Sequence, residues 1–339
     1  TDATCRATLQ PADHSGNPSD NDDPQMTVVV SCGIIARFSA RGRSTLRSGN
    51  KMKYANITGW GKCLPPAVLT NQDLSTFIDT SDEWIVQRTG MRERRISHVT
   101  GNQLAHVAAQ RALACAGLKA EDIDLIVYGT CTGDEGVPNE ASGVQVMLGA
   151  HNAACFDVNT ACTSFMYALT SATAMIKTGV VRNALVIGVE VVSRVMDWEN
   201  RGVCVLFGDG AGAVVLEPQM GQGLTTDRGL LGFSLRADGS KKDLLFVDGG
   251  PSSTGTVGHL RMLGNQVFRH AVVNISEAIE ASAAVAGVTM AEVDWFIPHQ
   301  ANQRSLEGVA RRVGIPEEKV ISTVALHANT SAASIPLAL

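Results

Sequence analysis

From residue 52 onward, short runs rich in Val, Ile and other apolar residues alternate with longer Ala-rich stretches. The runs fall at 123–128, 154–158, 184–189, 213–216, 295–297 and 320–324. The intervening 102–116, 164–177 and 268–286 carry Ala, Leu and Met at lengths suited to helices. Mainly apolar runs of three to six residues read as buried strands, and alternation with helices predicts α/β layers around a buried sheet.

An internal repeat sharpens this picture. "CAGLKAEDIDLIVYG" (115–129) and "VAGVTMAEVDWFIPH" (285–299) align at one shift, 287−117 = 170 for the glycines and 294−124 = 170 for the aspartates. The same shift pairs "NTAC" (159–162) with "NTSA" (329–332), since 329−159 = 170. Three landmarks in phase predict two similar α/β halves about a pseudo-twofold axis, each bringing a helix, a strand and a functional turn to equivalent places. The first half is 52–218 and carries a candidate nucleophilic cysteine. The second is 219–339 and carries a candidate His and Asn. Asn159 is followed by a helix and two strands ending near Leu216, 57 residues on (216−159), whereas ten residues follow Asn329 (339−329). The second half is therefore expected to lack its last helix–strand–strand unit unless another chain supplies it.

Residues 1–51 read differently. The first 25 are polar and acidic, while 26–53 contain Arg37, Arg41, Arg43, Arg47, Lys51 and Lys53 and no acid. An Arg- and Ser-rich, acid-free stretch over 26–51 has the composition of an organelle transit peptide. The alternative is an upstream extension ahead of a start at Met52. Either way 1–51 is expected to be disordered or transit-like, and is set aside from the fold.

Composition narrows the function. The chain has 339 residues, 45% hydrophobic and 18% charged. That is well below the roughly 25% charge of an ordinary domain, and points to extensive buried surface. A net charge of −5 argues against wholesale binding to nucleic acid or anionic membrane. The eight cysteines show no CxxC pair and no short repeated spacing, so neither a disulfide framework nor a zinc site is expected. Free thiols in apolar stretches favour a reducing, cytoplasmic compartment, with plastid or mitochondrion as the alternative if 26–51 is a transit peptide. The apolar stretch 27–35 is far short of the roughly 20 residues needed to span a bilayer.

Cys162 is the leading chemical candidate. The apolar run 154–158 leads into a turn and then an Ala-rich helix, so Cys162 is placed at or next to a helix N-terminus. There, unpaired N–H groups and the positive end of the helix dipole favour a thiolate and can hold an oxyanion. A thiolate nucleophile needs partners from elsewhere in the chain. His299 ends the strand of "DWFIPHQAN", and Asn329 lies in "HANTSAAS", the repeat-mate of the cysteine turn. The repeat puts all three at one end of the sheet, as a Cys-His-Asn set.

At these residues the chain resembles the β-ketoacyl-acyl carrier protein synthase III family of the thiolase superfamily. The resemblance is carried by "NITGWGKCLPPAVLTNQDLSTFIDTSDEWIVQRTGMRERR" (56–95), the cysteine turn, "RGVCVLFGDGAGAVVLE" (201–217), "RMLGNQVFRHAV" (261–272), "DWFIPHQANQR" (294–304) and "HANTSAASIP" (327–336). It covers 52–339 almost without gaps. It implies a layered α-β-α-β-α fold and a homodimeric condensing enzyme that initiates fatty acid synthesis. Cys162 would take an acyl group from acyl-coenzyme A, and His299 and Asn329 would hold the thioester carbonyl of malonyl-acyl carrier protein while it loses CO2. No resident cofactor or metal is implied, since coenzyme A enters as a thioester substrate.

The resemblance also implies outlying sites. Trp84 and Arg201 would sandwich the adenine, Thr80 and Arg88 would contact the nucleotide, and Asn265 and Asn302 would line the pantetheine tunnel. Arg269, Arg304, Arg311 and Arg312 would dock the acidic carrier protein. "FGDGAGA" (207–213) lacks the Lys-Ser/Thr of a P-loop and leads into a strand, so it reads as a backbone-packing turn.

Several residues depart from the family pattern. Thr163-Ser164 follows the cysteine where a small residue and Gly are more usual. Glu140 replaces a usual Thr near the acyl pocket, and Val137 stands where a partner subunit often inserts an aromatic ring, suggesting room for acyl chains longer than acetyl. The family's closing strand pair and Gly-rich turn are not found after Asn329. Two alternatives stay open: a secondary-metabolism relative that condenses or transfers longer acyl groups, and an inactive fragment that binds acyl-coenzyme A.

Overall fold

The computed structural model describes residues 25–30, 34–39 and 51–339. Its first sheet runs in the order β3 (Met52–Cys63), β9 (Gly210–Gly221), β8 (Ala184–Glu190), β6 (Leu125–Gly129), β7 (Ala154–Val158). The β6 strand lies parallel to β7 and β8, and β9 runs antiparallel to β3 and β8. Side chains alternate along each strand. Leu125, Val127 and Val186 join the core around helix α5 (Ser164–Thr178), while Ile126, Leu185 and Ile187 pack on the side of α3 (Gly101–Ala116).

A second sheet has the order β10 (Gly229–Phe233), β2 (Ile34–Ser39), β1 (Gln25–Val30), β13 (Trp295–Ile297). Its inner face, with Val28, Ala36 and Leu230, meets the same α5 core that the first sheet uses. Its outer face packs on α7 (Gly264–Ala286) and α8 (Gln303–Val313) through Phe296, Ile279 and Val309. The layers are therefore helix, sheet, central helix, sheet and helix, with α5 lying between the two sheets.

The strands β1 and β2 correct the expectation for the N-terminal stretch, since two parts of 1–51 belong to the fold. The 170-residue shift shows what they do. Leu125 pairs with Ala184, and its equivalent Trp295 pairs with Val28. Ala184 then faces Leu216, which faces Ile57; Val28 faces Ala36, which faces Leu230. Each outer strand breaks register at the next step, between Ile57 and Gly59 and between Leu230 and Gly232. Both glycines are needed for close approach. A Cβ on Gly59 would stand 2.2 Å from the Ala112 carbonyl oxygen, and one on Gly232 2.6 Å from that of Ser282, with 282−112 = 170. The repeated aspartates behave alike too. Asp124 exchanges backbone and carboxylate hydrogen bonds with Asn183, and Asp294 does the same with Thr27.

The places equivalent to β8 and β9 are thus held in the second half by β1 and β2, from the same chain. The apolar run at 27–35 carries strand-forming residues, but the surrounding Arg and Ser dominate its composition. The transit-peptide reading also rests on 1–24, 31–33 and 40–50, which lie outside the described residues.

The remaining elements flank this core. The β4 (Ala67–Thr70) and β5 (Glu93–Ile96) strands pair beside α1 (Asn71–Leu74) and α2 (Asp82–Thr89). The α4 helix (Glu140–Leu148) packs on α3, α6 spans Arg201–Cys204, and β11 (Leu245–Val247) pairs with β12 (Leu260–Met262). Residues 320–324 do not form the expected strand. Val320 makes only an isolated bridge to Phe296, and α9 (Val324–His327) follows. The Gln300 side chain takes over the backbone there, donating to the Ile321 carbonyl and accepting from Thr323 N–H. The short α10 (Ser334–Ala338) then lies against β9.

Candidate active site

At the C-terminal end of β7 the chain makes a tight turn into α5. Ala161 adopts φ 51° there, a left-handed conformation that side chains rarely take. Thr163 is the N-cap residue of α5, so Cys162 stands two residues before the first helical position. Ser164 Oγ steadies the turn, accepting from Thr160 N–H at 2.9 Å and donating to the Ala161 carbonyl at 2.7 Å.

The Asn329 turn repeats this geometry. Ser331, 170 residues after Ala161, has φ 48°, and Ala328 has φ 54°. Asn329 is buried, and its backbone is tied to the 207–213 motif by bonds to Leu206 and Gly208. That motif leads into β9, and the buried Asp209 carboxylate accepts from Ser97 and Ser193. Asn329 Oδ1 accepts from Ser331 N–H at 2.9 Å, which leaves Nδ2 as the side-chain group free to donate to a ligand.

His299 follows β13. Its Nδ1 lies 2.7 Å from Ser334 Oγ, and the same Oγ accepts from Gln300 N–H at 3.4 Å. The serine hydroxyl can donate to Nδ1, and in that tautomer the imidazole carries its own proton on Nε2. Burial pushes the His299 pKa down to about 4, so the ring is neutral at physiological pH.

Side chains missed by the sequence reading connect these turns. Ser334 joins His299 to the segment that carries Asn329. Glu190, at the end of β8, bonds both Cys131 and Ser331. Burial and the Glu190 carboxylate push the Cys131 thiol far up, so it stays protonated. Cys162, His299 and Asn329 are thereby brought to one end of the two sheets. Ser334 could have been found from the repeat, because 334−164 = 170 pairs it with Ser164. Glu190 carries no such signal, reading as the last residue of an apolar run.

The outlying positions are mixed. Arg88 and Arg201 both lie over the Trp84 ring, at 4.9 and 5.1 Å from its centroid, and Arg201 also bonds Asp79. The Trp84–Arg201 slot is therefore closed, because a planar ring between two faces needs about 7 Å, twice a contact distance. Thr80 Oγ1 is buried and has no hydrogen-bond partner among the described residues. Asn265 is exposed, and Asn302 caps α8, its Oδ1 accepting from Ser305 and leaving its amide protons available. Arg269, Arg304, Arg311 and Arg312 are all exposed on α7 and α8. Val137 is 88% exposed. Glu140 is buried, but its oxygens accept from Asn102 and from Glu135 N–H, which occupies it in holding the preceding loop.

The layered fold is the thiolase-like fold of the synthase III condensing enzymes. The family described as 3-oxoacyl-[acyl-carrier-protein (ACP)] synthase III matches residues 156–239, and its C-terminal part matches 283–339. A relative of that name from Caulobacter vibrioides is 63% identical over 83% of this chain and 88% of its own length. One from Rhizobium rhizogenes is 53% identical over 84% and 88%. The crystal structure of the Aquifex aeolicus synthase III superposes with a TM-score of 0.78 at 43% identity, covering 84% of this chain and 89% of that one. A priming β-ketosynthase from the R1128 polyketide pathway also superposes at 0.78, with 34% identity and coverage of 87% and 89%. The chain belongs to the β-ketoacyl-[acyl-carrier-protein] synthase III family.

Proposed function

We propose that the chain condenses an acyl-coenzyme A with malonyl-acyl carrier protein to give 3-oxoacyl-acyl carrier protein, the first elongation of fatty acid synthesis. The observation that supports this reading is that the turn of Cys162, the strand end of His299 and the turn of Asn329 lie at one end of the sheets, with His299 Nδ1 held by Ser334 and Asn329 Oδ1 by Ser331, so that Nε2 and Nδ2 remain for a substrate oxygen.

The Cys162 sulfur attacks the acyl thioester carbonyl. A carbon–sulfur bond forms to Cys162, the bond to coenzyme A breaks, and coenzyme A leaves as the thiol with the cysteine proton. Malonyl-acyl carrier protein then binds with its thioester oxygen between His299 and Asn329. Loss of CO2 leaves an enolate on that oxygen, and two preorganised neutral donors stabilise it better than water does. The enolate carbon attacks acyl-Cys162, forming the carbon–carbon bond and releasing the cysteine sulfur, which regains a proton. Coenzyme A is a substrate, and the scheme uses no resident cofactor.

The nucleotide would enter at Trp84 by displacing Arg201 from the indole face, with Thr80 Oγ1 gaining a partner. Pantetheine would pass Asn265 and the free amide of Asn302, and the carrier protein would dock on Arg269, Arg304, Arg311 and Arg312. Homodimer formation is supported by the free edge of β7 and by exposed Val137, Val146 and Met147 beside it. In such a dimer Val137 would reach the neighbouring acyl pocket. No described helix is long and apolar enough to cross a membrane. Given bacterial relatives, the cytoplasm is the proposed compartment.

Acetyl- to octanoyl-coenzyme A, each given with malonyl-acyl carrier protein, test the reading by chromatography of the carrier-bound product. A 3-oxoacyl product with release of CO2 supports it. Acyl transfer without decarboxylation would favour the transferase alternative, and turnover falling steadily from acetyl to octanoyl would remove the longer-chain role of Val137.

A further inference from the structure

Glu190 is 1% exposed and lies at the end of β8, in the middle of the first sheet. Its two oxygens are divided between the halves of the molecule. Oε2 accepts from Thr130 Oγ1 at 3.2 Å, from Cys131 N–H at 3.2 Å and from Thr132 Oγ1 at 2.5 Å, all on the loop after β6. Oε1 accepts from Cys131 N–H and Sγ on that same loop, and also from Ser331 Oγ at 3.1 Å and Ala332 N–H at 3.4 Å in the second half. Burial raises its carboxyl pKa, and the bonds from Thr132, Cys131 and Ser331 oppose that rise.

The segment it grips on the far side is under strain. Ser331 holds a left-handed backbone, as does Ala328, and such conformations persist only where the surroundings over-determine them. Ser331 N–H is also the group that fixes Asn329 Oδ1 and so aims Nδ2. Gly188, two residues before Glu190 on β8, lets the Ala332 backbone press against the strand. A Cβ there would lie 2.5 Å from the Ala332 carbonyl oxygen.

We infer that Glu190 is a positioning residue of the condensation step: its carboxylate clamps the loop 130–132 to the strained turn 329–332, and thereby sets the direction in which Asn329 donates. The inference deepens the condensing-enzyme reading and rests on it. Asn329 serves the malonyl half-reaction, while the acyl transfer to Cys162 does not need its amide. Glu190 should therefore govern one half-reaction and leave the other.

Glu190→Gln tests this. Whichever way the substituted amide turns, its NH2 faces a backbone N–H that cannot reverse, Cys131 in either orientation and Ala332 as well in one of them, so part of the clamp is lost. Transfer of acetyl from acetyl-coenzyme A to Cys162 and condensation of the acetylated enzyme with malonyl-acyl carrier protein are measured separately, both per folded molecule. Acetylation is expected within about threefold of the unaltered chain and condensation lower by roughly 100-fold, the scale of a one-ångström misplacement. Glu190→Asp, which keeps two acceptor oxygens, should recover part of the condensation rate. Ser331→Ala removes one hydroxyl and should shift the ratio the same way by a smaller factor, and it decides the matter if Glu190→Gln does not fold. Equal losses in both half-reactions, or a condensation-to-acetylation ratio unchanged in the variants, would overturn the inference. If the unaltered chain acetylates but does not condense, it is the condensing reading that fails.

Discussion

Ser334 Oγ lies 2.7 Å from Nδ1 of His299, and the same oxygen accepts a hydrogen bond from the backbone N–H of Gln300. A serine that donates to Nδ1 leaves the neutral imidazole a donor at Nε2. Ser334→Ala removes the group that favours this tautomer. One hydrogen bond is worth about 1 kcal/mol, so condensation kcat should fall roughly fivefold while acetylation of Cys162 is unaffected. Single-turnover assays of the two half-reactions check this, and unchanged condensation would contradict it.

The pH dependence follows from the same burial. His299 and His327 are both pushed down to about 4, His327 by burial and then by Lys62 and Arg95. Below about 6.5 the unfolded histidines bind protons that the folded ones refuse. Their contribution to stability is therefore complete above 6.5 and is lost as pH falls towards 4. The melting temperature should drop across that window, with a shallower slope in His327→Phe. The neutral His299 also survives well below 6.5, so condensation should show no acid limb centred there.

Trp84 is covered by Arg88 and Arg201. A cation over a half-buried indole is worth about 1 kcal/mol, and a nucleotide bound there must replace it. Trp84→Ala should raise KM for acetyl-coenzyme A several-fold with little change in kcat. A steady-state titration measures this, and an unchanged KM would remove Trp84 from the binding site.

The strand pair of 25–30 and 34–39 gives a stability prediction. Asp294 accepts from Thr27 N–H and donates its own N–H to Thr27, as Asp124 does with Asn183. Asp294→Ala removes the carboxylate that accepts from Thr27 N–H and should destabilise the protein by about 1–3 kcal/mol. Val28→Asp, which puts a carboxylate into the shared core, should cost more and melt the second sheet. Thermal unfolding of both variants checks this. Wild-type stability in Val28→Asp would show that the pair is not part of the folded sheet.

Much of this architecture was legible in the chain. Period and length located β7 from 154 to 158 and the helix that follows, and the 170-residue repeat placed Cys162 and Asn329 in matching turns. The repeat could not reach β1 and β2, because their places are filled by residues that precede the first half and share no sequence with β8 or β9. Charge composition there outweighed a strand pattern. Strand propensity also overstated 320–324, where Ile321 N–H bonds β13 but the Gln300 side chain takes the Ile321 carbonyl and Thr323 N–H. Glu190 was hidden because a carboxylate ending an apolar run has no pattern, and only the converging donors of two distant loops give it a role.

The account stands most directly on Cys162. Incubating the full chain with acetyl-coenzyme A, recording the intact mass and mapping the adduct by peptide digestion tests it. One acetyl group on the peptide that carries Cys162, absent in Cys162→Ser, is the expected result. A folded chain that gains no acetyl group, or gains it on another residue, would contradict the account.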